Sequence, residues 1–94
     1  MSDARITIEY FAQARAAAGG QARETMAVAP GVPLAEVIHK LAEKHGPKLS
    51  ALLLASPRST IIAIDGSQVS STDDVKLRGG ETVMIIPPIS GGQS

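Results

Sequence analysis

Cysteine and tryptophan are absent from this chain, and Tyr10 and Phe11 are its only aromatic residues. The first absence excludes disulfides, a thiolate nucleophile and thiolate metal ligands. The scarcity of aromatics means that the core must be built from Ile, Val, Leu, Ala and Met. No surplus of either charge exists, with 9 Lys and Arg against 9 Asp and Glu. A nucleic-acid footprint, which needs a basic stripe and stacking aromatics, is therefore not expected. No run approaches the ~18 apolar residues that a membrane helix needs. The first residues, Met1-Ser2-Asp3-Ala4-Arg5, contain no apolar leader segment, so a cytoplasmic location is expected. A length of 94 residues with 44% apolar content suits one domain and one core.

Residues 5–11, Arg-Ile-Thr-Ile-Glu-Tyr-Phe, alternate polar and apolar and predict a strand with one buried face. Residues 12–18 are alanine-rich and suit a short helix, which Gly19-Gly20 ends. A second strand is expected within 21–29, before the Pro30-Gly31 turn. The clearest element is a helix over 33–45. Leu34, Val37, Ile38 and Leu41 fall on one stripe, and Glu36 and Lys40 form an i, i+4 pair elsewhere on it. Pro33 suits the first helical position, which places Val32 at an unorthodox N-cap. Gly46-Pro47 stops the helix, and a further short helix is expected over 48–55. Strands are expected at 59–64, before the Asp65-Gly66 turn, and at 81–86, after Arg78-Gly79-Gly80. The order strand, strand, helix, strand, strand is α+β. A β-grasp (ubiquitin-like) mixed sheet of about four to five strands packed on one main helix fits it best.

Reactive side chains form no recognisable set. His39 and His45 are six positions apart on one helix and face different ways, so they read as surface or boundary histidines. Asp73-Asp74 lies in a turn region and reads as solvated. No phosphate loop with its lysine is present. No metal ligand set and no cofactor site are expected, and the chain is not expected to be an enzyme in its own right.

The C-terminal segment is the informative part. Pro87-Pro88 cannot extend a sheet, because proline has no N–H to donate. The body is therefore 1–86, and 87–94 is a flexible tail carrying Gly91-Gly92. Fully extended, residues 87–92 reach roughly 20 Å at about 3.3–3.6 Å per residue. Two glycines make a thin end that can enter a channel where any Cβ would clash.

The segment Glu81-Thr82-Val83-Met84-Ile85-Ile86-Pro87-Pro88-Ile89-Ser90-Gly91-Gly92 closely resembles the ending of the ubiquitin-like sulfur carriers. That family contains the small subunit of molybdopterin synthase, the nearer likeness, and the thiamine-pathway carrier. Tyr10-Phe11-Ala12-Gln13-Ala14-Arg15 with Gly19, and Ile62-Ala63-Ile64-Asp65-Gly66, resemble the family's first and middle strands. The resemblance implies that a separate E1-like activating enzyme uses ATP to adenylate the carboxylate of Gly92, with Gly91 beside it. Sulfur from a persulfide then converts it to a thiocarboxylate. A large synthase subunit, or another sulfur-acceptor enzyme, takes the tail. The carrier itself needs no cysteine, nucleotide loop or metal. The resemblance also points to Ile86, Pro87, Pro88, Ile89 and Ser90 as partner-binding residues. Strand alternation requires one of Ile85 and Ile86 to be core, and Ile86 with Ile89 is the expected partner patch.

Two features depart from the family pattern. Gln93-Ser94 follow Gly92, so its carboxylate lies in a peptide bond; a processing protease is expected to free it, the alternatives being a piece of a longer fusion or a chain that has lost carriage and only binds. Gly79-Gly80-Glu81 stands where the family often has Asp-Gly-Asp, which alters a turn. Sulfur carriage for another product, such as thiolated tRNA, cysteine or a secondary metabolite, and conjugation of Gly92 to target lysines remain alternatives to the molybdenum-cofactor role.

Overall fold

The computed structural model describes residues 4–54, 60–69 and 75–88. In chain order these form β1 (Ala4–Tyr10), α1 (Gln13–Ala17), β2 (Arg23–Val28), β3 (Val32–Pro33), α2 (Leu34–His45), α3 (Pro47–Leu54), β4 (Ile61–Ile64), β5 (Ser67–Val69), β6 (Lys76–Leu77) and β7 (Thr82–Ile86). Five strands make one mixed sheet in the order β2-β1-β7-β4-β5, and β3 pairs with β6 in a small second sheet. The architecture is the expected β-grasp.

Alternation along β1 turns Ile6, Ile8 and Tyr10 inward. In β7 it turns Val83 and Ile85 inward and leaves Met84 and Ile86 half-buried on the other side. β7 runs parallel to β1, with Tyr10 opposite Ile85, and antiparallel to β4, with Ile62 opposite Ile85. Across the inner face, α2 buries Leu34, Val37, Ile38, Leu41 and Ala42, and α3 adds Leu49 and Leu53. The predicted α2 stripe therefore holds, widened by Ala42. The exposed Glu36–Lys40 pair forms at 3.5 Å and contributes little, because both groups stay solvated.

The start of α2 differs from the expectation by one residue. Pro33, not Val32, is the N-cap, in an extended conformation (φ −66°, ψ 140°) with no side-chain cap. The sheet supplies what the cap lacks. Pro33 sits opposite Lys76, and the Leu34 N–H donates to the Val75 carbonyl at 2.8 Å. At the other end Gly46 has φ 91° and its N–H donates to the Ala42 carbonyl, which requires a residue without Cβ strain.

Asp65 (φ 51°) and Gly66 (φ 88°) form the tight turn between β4 and β5, the left-handed pair that a two-residue hairpin demands. β3, β5 and β6 were not expected from the sequence. The first and last are two residues long, and β5 carries a single apolar residue, Val69. At the altered turn, Arg78 and Gly79 donate their backbone N–H groups to the Glu81 carboxylate at 2.7–3.2 Å. Slight burial raises the Glu81 pKa, but these bonds outweigh it and the net direction is downward.

Candidate functional site

The end of β7 is where the sheet hands the chain to its C-terminal segment. Ile85 is fully buried, so Ile86 is the residue of the pair that faces outward. Its registered neighbour on β4 is Ile61, which is 39% exposed, and one step back along the same outer face Met84 lies opposite Ala63. At the end of β1, Phe11 is 38% exposed and its N–H donates to the Ile85 carbonyl at 3.1 Å. Phe11, Ile61, Met84 and Ile86 thus give the sheet an apolar margin where the tail departs. Phe11 and Ile61 are two of only three large apolar side chains exposed among the described residues.

The two prolines do different things. Pro87 is fully buried, so its ring anchors the tail to the body and offers no surface to a partner as it stands. Pro87 was expected among the partner-binding residues, and strand alternation carries its ring back toward the inner face. Pro88 is exposed. Its carbonyl accepts a hydrogen bond from Gln13 Nε2 at 3.3 Å. Gln13 opens α1, immediately after Ala12, whose φ of 52° and ψ of −129° are rarely adopted by a residue with a Cβ. Gln13 was not singled out by sequence reasoning, and nothing in local periodicity could have paired it with a residue 75 positions away. Ile89, Ser90, Gly91, Gly92, Gln93 and Ser94 lie outside the described residues, as does Asp73-Asp74.

On β2, Glu24 collects three donors. Lys44 Nζ and His45 Nε2 approach its two oxygens at 2.6 Å, and the Tyr10 hydroxyl donates to the same carboxylate. The Tyr10 and His45 rings meet edge to face, 5.7 Å between centroids. Burial alone would raise the Glu24 pKa, but bonds from Lys44, Tyr10 and His45 overcome it and hold the group at about 2. Burial, with Glu24 beside it, pushes Tyr10 up. His45 is half-buried, the boundary position of the two expected, and it ties the end of α2 to β2. The available signal was Glu24 itself, an acid on the inward phase of a strand whose Met26 and Val28 also point in. His39 is exposed. Among the described residues, no group of three His, Asp or Glu side chains could hold a metal, and no helix is long and apolar enough to cross a membrane.

Against known proteins, the model of the ThiS family matches residues 8–92. The molybdopterin synthase sulfur carrier subunit of Chlamydomonas reinhardtii is 28% identical over 88 residues, covering 94% of this chain and 99% of that protein. Among solved structures, a Haloferax volcanii protein superposes with a TM-score of 0.76 at 20% identity, covering 96% of this chain and 88% of its own. Small archaeal modifier protein 1 from Methanosarcina acetivorans gives 0.73 at 23% identity, covering 98% and 100%. These two structures support the fold.

Proposed function

The chain belongs to the ThiS family, and from that premise we propose that it carries sulfur on the carboxylate of Gly92. The observation that carries this reading is the extent of the family match, which runs through β7 and Pro87-Pro88 and ends at Gly92. The working end is thus inside the shared pattern, and Gln93 and Ser94 are outside it.

In this reading a protease first removes the residues beyond Gly92. An E1-like enzyme then uses ATP to adenylate the freed carboxylate and pyrophosphate leaves; the outer sulfur of a persulfide displaces AMP to form an acyl disulfide, and a second thiol, supplied by the sulfur-transfer partners, breaks its S–S bond, leaving the thiocarboxylate and a disulfide on those partners. The carrier contributes no reacting side chain. Its own residues position the tail: Pro87 is fixed in the body, Gln13 holds the Pro88 carbonyl, and the glycines pass into a partner's channel. Phe11, Ile61, Met84 and Ile86, with Ile89, give partners an apolar surface beside the tail. The likeness to the Chlamydomonas subunit supports a large molybdopterin synthase subunit as the partner that takes the tail; in this reading the sulfur passes there to a pterin precursor, in the cytoplasm.

The test is the intact mass of the protein isolated from its native cells. A chain ending at Gly92 with one oxygen replaced by sulfur is the expected species. A chain that keeps Gln93 and is unchanged after incubation with native extract and ATP would refute the proposal. A Gly92–lysine isopeptide in place of the thiocarboxylate would reassign the protein as a modifier.

A further inference from the structure

The parallel ladder between β1 and β7 shows how the body holds the root of the tail. Thr7 N–H donates to the Glu81 carbonyl at 3.0 Å, and Phe11 N–H donates to the Ile85 carbonyl at 3.1 Å. Continued in the same step, the next rung would join residues 13 and 87. The chain leaves the ladder there instead. Ala14 N–H donates to the Phe11 carbonyl at 3.0 Å and closes a four-residue turn. Ala12 takes its first central position with φ 52° and ψ −129°, the conformation of a type II′ turn, where glycine is the usual residue. That turn starts α1 and brings the Gln13 side chain to the tail, where Nε2 donates to the Pro88 carbonyl at 3.3 Å. Pro87 and Pro88 have no N–H. Their carbonyls are the only backbone groups that can be hydrogen-bonded at the root of the tail, and the body must supply the donor.

We propose that Gln13, aimed by the strained turn at Ala12, is a positioning residue for the activation of Gly92. Pro87 is anchored by its buried ring, and the Gln13 bond extends the fixed part of the chain to Pro88. An activating enzyme that takes the tail then has one residue fewer to order, and that entropy is saved at binding. The strain at Ala12 has its reason here. A residue with a Cβ stays in such a conformation only where its surroundings fix it. A turn with negative φ at residue 12 would start α1 in another direction and carry Gln13 away from Pro88. The inference rests on the sulfur-carrier reading and deepens it, by naming the side-chain donor and the turn that set the tail's point of departure.

The experiment has two readouts. The first is the carbonyl carbon signal of Pro88 in NMR of the full chain. Gln13→Ala and Gln13→Glu remove the donor and should move that signal. Ala12→Pro forces a negative φ and should move it in the same way; the Gln13 variants keep the test sound if the proline variant folds poorly. The second readout is ATP–pyrophosphate exchange on the chain processed to Gly92, with extract of native cells lacking this protein as the source of activating enzyme. Gln13→Ala and Gln13→Glu should raise KM about threefold, the scale of one solvated neutral hydrogen bond, with kcat and Tm unchanged. Gln13→Lys keeps a donor and should stay near wild type. A pure charge effect would instead move the Glu and Lys variants in opposite directions and leave Ala unmoved, which would overturn the proposal. It is equally overturned if Gln13→Ala leaves the Pro88 signal in place, or if its KM matches wild type. Failure of the sulfur-carrier reading is a different result: wild type itself would support no exchange, while the Pro88 signal would still report the Gln13 contact.

Discussion

Replacing Glu24 by glutamine tests whether the junction of β2 with the end of α2 is held by charge. The fall of its pKa from 4.5 to about 2 is equivalent to ~3 kcal/mol of preference for the ionised form. Lys44 is 56% exposed, so solvent screens part of that attraction. We expect Glu24→Gln to cost about 2 kcal/mol at neutral pH, or roughly 10 °C in Tm for a domain of this size. The sign with pH comes from the direction of the shift. A carboxylate whose folded pKa is depressed stabilises the protein above its unfolded value near 4.5, and that stability is lost as pH falls toward 2. Urea unfolding of wild type should therefore show a loss of about 2 kcal/mol between pH 5 and pH 2, and the variant should show a flatter curve. A variant within about 0.5 kcal/mol of wild type at pH 7, or one with the same decline at low pH, would refute the argument.

Other outcomes are expected from the same structure. Ile85→Ala should lower stability by about 3 kcal/mol, because the side chain is fully buried. Ile86→Ala should cost under ~1 kcal/mol in chemical denaturation and, if the proposed E1-like partner docks here, weaken its binding as measured by calorimetry. At Gly79, an added Cβ would lie 2.7 Å from Ala4 Cβ at a φ of 134°, so Gly79→Ala should destabilise by roughly 2 kcal/mol in the same assay. Ala12→Gly relieves an unfavourable φ and should raise Tm, with a gain of about 1 kcal/mol after the added chain entropy is allowed for.

What the sequence made legible was what local pattern encodes. The Leu34, Val37, Ile38, Leu41 stripe found its helix, and the alternation of Val83 to Ile86 separated a core isoleucine from an outward one. The same rule places the Pro87 ring inside, yet the expectation grouped Pro87 with the partner-binding residues. The pairing of β3 with β6 was out of reach because two-residue strands have no period to read. Their effect was nevertheless large, since the Val75 carbonyl does the capping that Val32 and Pro33 cannot. The contacts of Glu24 with Tyr10, Lys44 and His45 join elements 14 to 21 residues apart, and that of Gln13 with Pro88 spans 75. Such contacts depend on strand order and register. No single-segment pattern supplies either.

The placement of β7 has a mechanical consequence. The strand that leads to the tail lies mid-sheet, registered over four residue pairs with β1 on one side and four with β4 on the other. Its parallel neighbour β1 begins at the opposite end of the sheet from where β7 ends. A pull on the tail is therefore directed along the strands, and it loads both ladders in shear. Bonds loaded this way must yield together, whereas a strand peeled from an edge gives them up one at a time. A partner can grip and draw the tail hard while the body behind it stays folded.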